Sequence, residues 1–147
     1  MKLGEAMQTL GAGVLSVGIA AAAMASGAVP KGEIIGAWQG VSACVKSPEF
    51  PDCNDESVEF DFYDAPAGTV HLAAYTFFDG QKNLIDEMDC TYDEKLGSWT
   101  SESQNPRYRG LWTFTVGGDA LSGTLVDVAS KHKVRDILAR RSAPSAK

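Results

Sequence analysis

The most constraining feature of this sequence is an alternation of apolar and polar side chains with a period of two. Between residues 57 and 63, Val58, Phe60 and Phe62 alternate with acidic residues. The stretch at residues 108–116 repeats the pattern, with large apolar side chains separated by threonines. A period of two places successive side chains on opposite faces of an extended chain, so each run predicts a β-strand with one buried face.

Turn residues separate such runs at short, regular intervals. Asp79-Gly80 and Gly117-Gly118-Asp119 have the composition of tight hairpin turns. No segment after Ala25 has a convincing helical period. The predicted strands span residues 34–44, 57–63, 69–78, 84–92, 96–101, 108–116, 120–128 and 132–141. Because the connections are so short, we predict an all-β domain in which about eight antiparallel strands form an up-and-down barrel.

The amino-terminal segment has the pattern of a secretory signal peptide. Lys2 precedes a long uncharged stretch that ends in the small residues Ala23-Met24-Ala25. We therefore predict a signal peptide over residues 1–25 and export to the periplasm or the extracellular space; an uncleaved membrane anchor is the alternative. The mature form would have no membrane span. The rest of the chain is predicted to divide into a linker at 26–33, a barrel domain at 34–141 and a flexible tail at 142–147.

The cysteines agree with export, because disulfides form in oxidising compartments. Cys44 and Cys53 bracket a short loop that Pro48 and Pro51 stiffen. A Cys44–Cys53 disulfide would stabilise the fold by roughly 2–3 kcal/mol in the chain-entropy model. Cys90 is then either a buried free thiol or the true partner of one of the other two. The spacing contains no C-x-x-C pair, and we predict no bound metal and no cofactor.

Charge is distributed unevenly along a chain whose net charge is −6. Residues 49–94 contain thirteen acidic side chains and one basic side chain, Lys82, whereas the carboxy-terminal third is basic. An acidic chain lacks the clustered lysines and arginines that phosphate contacts need, so we predict no nucleic-acid partner. Strand pairing would neutralise part of the charge; the alternative is an acidic face that attracts cations or a basic partner.

Gly36-Ala37-Trp38 places a Gly-x-Trp triplet on the first predicted strand. With this triplet and the stretch Leu121-Ser122-Gly123-Thr124-Leu125, the chain resembles the lipocalin-like (calycin) superfamily. More closely, it is similar to small exported bacterial proteins with a Gly-x-Trp-x-Gly start, a Pro-x-Cys-Asn-Asp-Glu segment and an Arg-rich last strand. The resemblance covers about residues 34–141. The chain is shorter than a typical lipocalin and has no helix before the last strand, so it resembles a minimal eight-stranded barrel.

The resemblance implies structural roles at one end of the barrel. Gly36 and Trp38 would lie at the closed end, where an arginine from the last strand covers the Trp ring. The candidates are Arg135, Arg140 and Arg141, and we assign the role to Arg140. The resemblance implies no particular activity.

An eight-stranded barrel either holds one small ligand or fills its interior with side chains. We predict a small apolar ligand in the barrel mouth, and a filled core is the alternative. The predicted lining residues are Phe60, Phe62, Tyr75, Met88, Tyr92, Trp112 and Phe114, with Phe77 and Trp99 as further candidates.

A second hypothesis is a protein-interaction module, such as an inhibitor of an exported protease. The loop between the paired cysteines, with Phe50 between its prolines, would be the docking element; a lid over the barrel is the alternative. A third hypothesis is an enzyme that uses His71 beside Asp86, Glu87 or Asp89 as an acid–base pair. No nucleophile elbow, phosphate loop or metalloprotease motif accompanies them, so we predict no enzymatic activity.

Overall fold

A computed structural model of the chain describes residues 29–104 and 109–142. These residues form one short helix, α1 (Lys31–Ile34), and eight strands. The strands are β1 (Gly36–Cys44), β2 (Glu56–Asp64), β3 (Thr69–Phe78), β4 (Gln81–Asp93), β5 (Ser98–Gln104), β6 (Arg109–Gly117), β7 (Ala120–Asp127) and β8 (Lys133–Arg141).

The eight strands form a closed antiparallel barrel in chain order, and β8 pairs back to β1. Each strand therefore has a partner on both sides, which removes the exposed sheet edges that promote aggregation. The predicted hairpin turns are present, with Asp79, Gly80 and Gly118 at positive φ. The prediction of an all-β, up-and-down, eight-stranded barrel is confirmed, and the architecture is compatible with a lipocalin-like fold.

The alternation in β2 sets the composition of the interior. Val58, Phe60 and Phe62 are buried at 0–2% exposure. Phe60 and Phe62 each meet Phe114 of β6 edge to face, with ring centroids 5.3 Å apart. Aromatic side chains thus fill the middle of the barrel, and edge-to-face contacts add to the free energy of burial.

One end of the barrel is closed by α1, which the sequence pattern did not predict. The sequence predicts a linker at residues 31–33 and a strand from Ile34, whereas Lys31–Ile34 form a single helical turn. Ile34 is fully buried, and its carbonyl accepts a hydrogen bond from the indole nitrogen of Trp38 at 2.7 Å. This turn is stabilised by the tertiary contact of Ile34 with the end of the barrel. A segment of four residues is too short to show a helical period in the sequence.

Arg141, and not Arg140, covers Trp38. The guanidinium carbon of Arg141 lies 4.2 Å from the centre of the Trp38 ring. In the β1–β8 register Arg141 is opposite Trp38, so both side chains point inward. Arg140 is the next residue along the strand and its exposed side chain therefore points to solvent. The assignment of this role to Arg140 is corrected accordingly.

The opposite, open end carries the disulfide loop. Cys44 and Cys53 are bonded, with their Cα atoms 5.7 Å apart, which confirms the predicted pairing. The amide of Val45 donates to the carbonyl of Val134 at 2.9 Å, so the loop continues from β1 against β8. Cys90 is a buried free thiol.

The strands β4 and β5 make the shortest ladder of the barrel. Their register runs over three residue pairs, from Thr91 opposite Thr100 to Asp93 opposite Ser98. Beyond that point, the hydroxyl of Ser101 donates to the carbonyl of Asp89 at 2.8 Å. The wall is therefore least tightly paired on the side of β4 that approaches the open end.

Several predictions fall on residues outside those that the structure describes. These are the signal peptide at 1–25, the linker residues 26–28 and the tail beyond residue 142. Within the described residues, no helix has the length and apolar character needed to cross a membrane.

Candidate functional site

A cavity of about 260 Å³ opens at the end of the barrel opposite α1. Side chains from six strands line it, so its shape depends on closure of the barrel. The lining residues are Ser42, Glu56, Val58, Phe60, Ile85, Asp86, Trp112, Leu125 and Arg135.

The floor of the cavity is apolar and fixed in position. Phe60 and Trp112 meet edge to face with ring centroids 6.2 Å apart, and Trp112 stacks on Phe114 below. The indole nitrogen of Trp112 donates to the hydroxyl of Ser103 at 3.0 Å. Because this bond satisfies the one polar atom of the indole, the ring can present an apolar face without an unpaired donor.

The rim on the β8 side is formed by Arg135, whose hydrogen bonds are made within the protein. One of its terminal nitrogens donates to the carbonyl of Asn54 at 2.6 Å and contacts the carbonyl of Ser42 at 3.3 Å. Its other terminal nitrogen lies 3.4 Å from a carboxylate oxygen of Glu56. The guanidinium thus ties the end of β1 to the start of β2, with its charge partly compensated.

The rim on the β4 side is formed by Asp86, which lies on the same inward face as Met88 and Cys90 and stands next to a β-bulge. The β3–β4 register shifts between Ala74 and Tyr75, which leaves Ile85 as the extra residue between Leu84 and Asp86. Bulges commonly redirect a side chain next to a site. Here the bulge lets Leu84 face outward beside Tyr75, while the half-buried Asp86 lines the cavity.

Among the residues that the structure describes, no cationic side chain pairs with Asp86. The contact that it makes is with the main-chain amide of Glu87, 3.0 Å from its carboxylate oxygen. This carboxylate therefore differs from that of Glu56, which has Arg135 beside it.

The structure brings two of the seven predicted lining residues, Phe60 and Trp112, into the cavity. Phe62 and Phe114 lie deeper, packed against each other in the filled part of the core. Met88 also belongs to the buried core cluster rather than to the cavity lining.

Tyr75 and Tyr92 do not line the cavity, so their assignment to it is corrected. Tyr92 packs on Trp99, with ring centroids 5.2 Å apart, near the turn at the closed end. Tyr75 lies on the outer wall, where the ammonium of Lys82 sits 4.0 Å from its ring centre. Because β3 is apolar on both faces, its sequence does not identify the inward side.

The sequence does not assign the other seven lining residues to the site: Ser42, Glu56, Val58, Ile85, Asp86, Leu125 and Arg135. It indicates Asp86 only as a partner of His71 and Arg135 only as a partner of Trp38. Glu56 could have been found from the alternation in β2. It lies two residues before Val58 and four before Phe60, so its side chain is on the same face of the strand as these inward apolar residues.

The outer wall carries a separate polar cluster around Lys82. Its ammonium binds the carboxylate of Glu59 and lies 3.3 Å from that of Asp61. Burial raises the pKa of Glu59, but hydrogen bonds from Lys82 and Gln39 outweigh this, so the pKa is lowered. Burial, and then the charge of Glu59, raise the pKa of Asp61. The cluster braces β1, β2 and β4 from outside.

His71 also lies on the outer wall rather than in the cavity. Its Nδ1 is 2.9 Å from Asp89 and its Nε2 is 3.6 Å from Glu87. The hydrogen bond with Asp89 is the main cause that raises the pKa of His71. Of the three acids proposed as its partners, Asp86 faces the other side of the wall, in the cavity.

A second depression, of about 640 Å³, lies on the outer wall across β6, β7, β8 and β1. Two of its apolar side chains, Val41 and Leu138, are 46% and 70% exposed. It is more open than the cavity at the barrel end, and few polar groups converge on it. A small-molecule site needs enclosure and a few placed polar groups, so the open-end cavity is the better candidate.

Neither a scan against protein-family models nor searches of curated proteins and of solved structures returned a match to this chain.

Proposed function

We propose that this protein is an exported barrel that binds a small, mostly apolar ligand in its open-end cavity. The observation that carries the proposal is the asymmetry of the two ends. Trp38, Ile34 and Arg141 plug one end, whereas the other end has a cavity with Phe60 and Trp112 as an aromatic floor. Polar and charged side chains from Ser42, Glu56, Asp86 and Arg135 complete the lining. A small-molecule site combines apolar and aromatic surface with placed polar groups.

The proposal of export is supported by the disulfide and by the amino-terminal sequence. A disulfide such as Cys44–Cys53 is typical of proteins in oxidising compartments. The stacking of Arg141 on Trp38 is the arrangement that the resemblance to lipocalin-like proteins implied. It supports, at the level of architecture, a relation to that superfamily.

The size of the cavity limits the size of the ligand. Its volume of about 260 Å³ equals that of roughly nine water molecules. We therefore expect a ligand with on the order of ten non-hydrogen atoms inside the barrel, because each occupies a comparable volume.

The disulfide loop is better suited to be a lid than a docking element. Phe50, the residue expected to be presented to a partner, packs against the hydrophobic core. Glu49 pairs with His132 at 3.0 Å, which fixes the loop to the turn before β8. An inhibitor of an exported protease is the alternative function, and no contact among residues 29–104 and 109–142 favours it over ligand binding.

Native mass spectrometry of protein purified from an oxidising compartment tests the proposal. We expect a mass above that of the polypeptide, lost on denaturation. The variant Val58→Phe should abolish this extra mass by filling the cavity, whereas Val41→Phe, on the outer wall, should retain it. Equal ligand loading of both variants, each shown to be folded by circular dichroism, would contradict the proposal.

A further inference from the structure

The charged groups around the cavity favour one class of ligand. Arg135 supplies one positive charge, and Glu56 and Asp86 supply two negative charges. Arg135 and Glu56 lie beside each other, with side chains 14% and 41% exposed, and largely compensate each other. The net negative charge of the lining is therefore located at Asp86.

A ligand that enters the cavity displaces water from Asp86. A half-buried carboxylate that loses water without gaining a partner is destabilised, whereas an ammonium group brings both a charge and hydrogen-bond donors. A ligand carboxylate would meet Asp86 and Glu56 at the same rim, and it would have to compete for Arg135 with the carbonyls of Asn54 and Ser42. The electrostatics of the rim thus favour a cation over an anion.

The aromatic floor of the cavity is compatible with a cationic ligand as well. Phe60 and Trp112 lie in the same cavity as Asp86, and the face of an aromatic ring attracts a cation as well as an alkyl chain. A short alkyl or aryl amine would place its apolar body over the floor and its ammonium group at the rim.

We propose that the open-end cavity selects small amphipathic primary amines, with Asp86 as the partner of the ammonium group. This inference rests on the proposed ligand-binding function and specifies its chemical class. Asp86 enters the cavity because it lies on the same face of β4 as Met88 and Cys90, and the bulge at Ile85 turns Leu84 away from that face.

The test compares three probes that share an eight-carbon chain: octylamine, octan-1-ol and octanoate. Binding to the full-length mature protein is measured at pH 7 by calorimetry and by tryptophan fluorescence. We expect octylamine to bind about tenfold more tightly than octan-1-ol, because one charge-assisted hydrogen bond at a half-buried site increases affinity by about that factor. Octanoate should bind more weakly than the alcohol.

Variants separate the role of Asp86 from general electrostatics. Asp86→Asn should reduce the preference for octylamine over octan-1-ol to within about twofold, and Asp86→Glu should retain most of it. Glu87→Gln is the matched control, because it removes a neighbouring negative charge that lies on the outer wall. Circular dichroism confirms the fold of each variant.

The outcomes distinguish the inference from the function on which it rests. If octylamine and octan-1-ol bind equally, or if octanoate binds most tightly, selection of amines is wrong while ligand binding stands. If Asp86→Asn and Glu87→Gln reduce the preference equally, Asp86 is not the partner. If none of the three probes binds, the proposed function itself fails, and the inference fails with it.

Discussion

The guanidinium of Arg141 lies over the indole ring of Trp38, with its central carbon 4.2 Å from the ring centre. The same group donates to the carbonyls of Ile35 and Glu33 at 3.0 Å and 2.6 Å. The last strand is thereby fastened to the first strand and to α1. Gly36 is required beside it, since its φ is +127° and a Cβ there would lie 3.1 Å from an Arg141 nitrogen.

Replacement of Arg141 by alanine should destabilise the fold. We expect a loss of about 2–3 kcal/mol in the free energy of unfolding, from the stacking on Trp38 and from two carbonyls that lose a charged donor. Arg140→Ala is the matched control and should change it by less than about 0.5 kcal/mol, because that side chain is exposed. Chemical denaturation followed by tryptophan fluorescence measures both. Equal effects of the two substitutions would refute the structural role of Arg141.

Lys82→Met should destabilise the protein at neutral pH by about 1–2 kcal/mol, because it leaves Glu59 and Asp61 facing each other in a partly buried site. One carboxylate oxygen of Asp61 is already buried without a hydrogen-bond partner among the described residues. Lys95→Met, at an exposed turn, is the control.

The effect of Lys82→Met should decrease as the pH falls. The lowered pKa of Glu59 means that its ionised form stabilises the fold above its unfolded-state pKa, and that this contribution is lost on acidification. Removal of Lys82 eliminates the contribution in advance, so the two proteins should converge as the pH falls below 4.5 and through the lowered folded-state pKa of Glu59. A difference that stays constant from pH 7 to well below this range would show that the loss comes from packing of the lysine stem alone.

His71 should stabilise the fold in acid. Its pKa is raised in the folded protein, so the stabilisation is fully present below the unfolded-state pKa of about 6.5 and is lost as pH rises through the folded-state value. We expect His71→Gln to cost about 0.5 kcal/mol at pH 5.5, as exposed ion pairs do, and nothing at pH 9. Denaturation curves at both pH values measure this. The cost should decrease in an Asp89→Asn background, and a cost at pH 9 equal to that at pH 5.5 would contradict the assignment.

Cys90 should be unreactive in the native protein. Burial, with a smaller contribution from the charge of Asp89, raises the pKa of its thiol to about 12, so almost no thiolate is present at pH 8. A chromogenic disulfide reagent should detect no thiol in the native state and one after unfolding. After reduction it should detect all three cysteines. Rapid labelling without denaturant would show that Cys90 is accessible.

Local pattern alone predicted the strands and the order in which they pair. The alternation of Val58, Phe60 and Phe62 fixes which face of β2 is buried, because a shift of one residue would expose three large apolar side chains. Short turns then restrict each strand to pairing with its neighbours. The Cys44–Cys53 disulfide could also be predicted from the sequence, because both cysteines belong to the single connection between β1 and β2.

What only the tertiary structure decided concerns residues whose roles depend on distant parts of the chain. Arg141 rather than Arg140 covers Trp38 because the β1–β8 register joins residues that are far apart in sequence. Tyr75 lies outside because Lys82 and Glu59 cover the second apolar face of β3. Asp86 and Arg135 line one cavity because closure of the barrel brings β4 and β8 around the same open end. Leu84 has the same parity as Asp86 but faces outward, because a bulge changes the phase of β4 between them. The period of a sequence pattern is a local property, whereas closure of the sheet defines which side chains face the interior of the barrel.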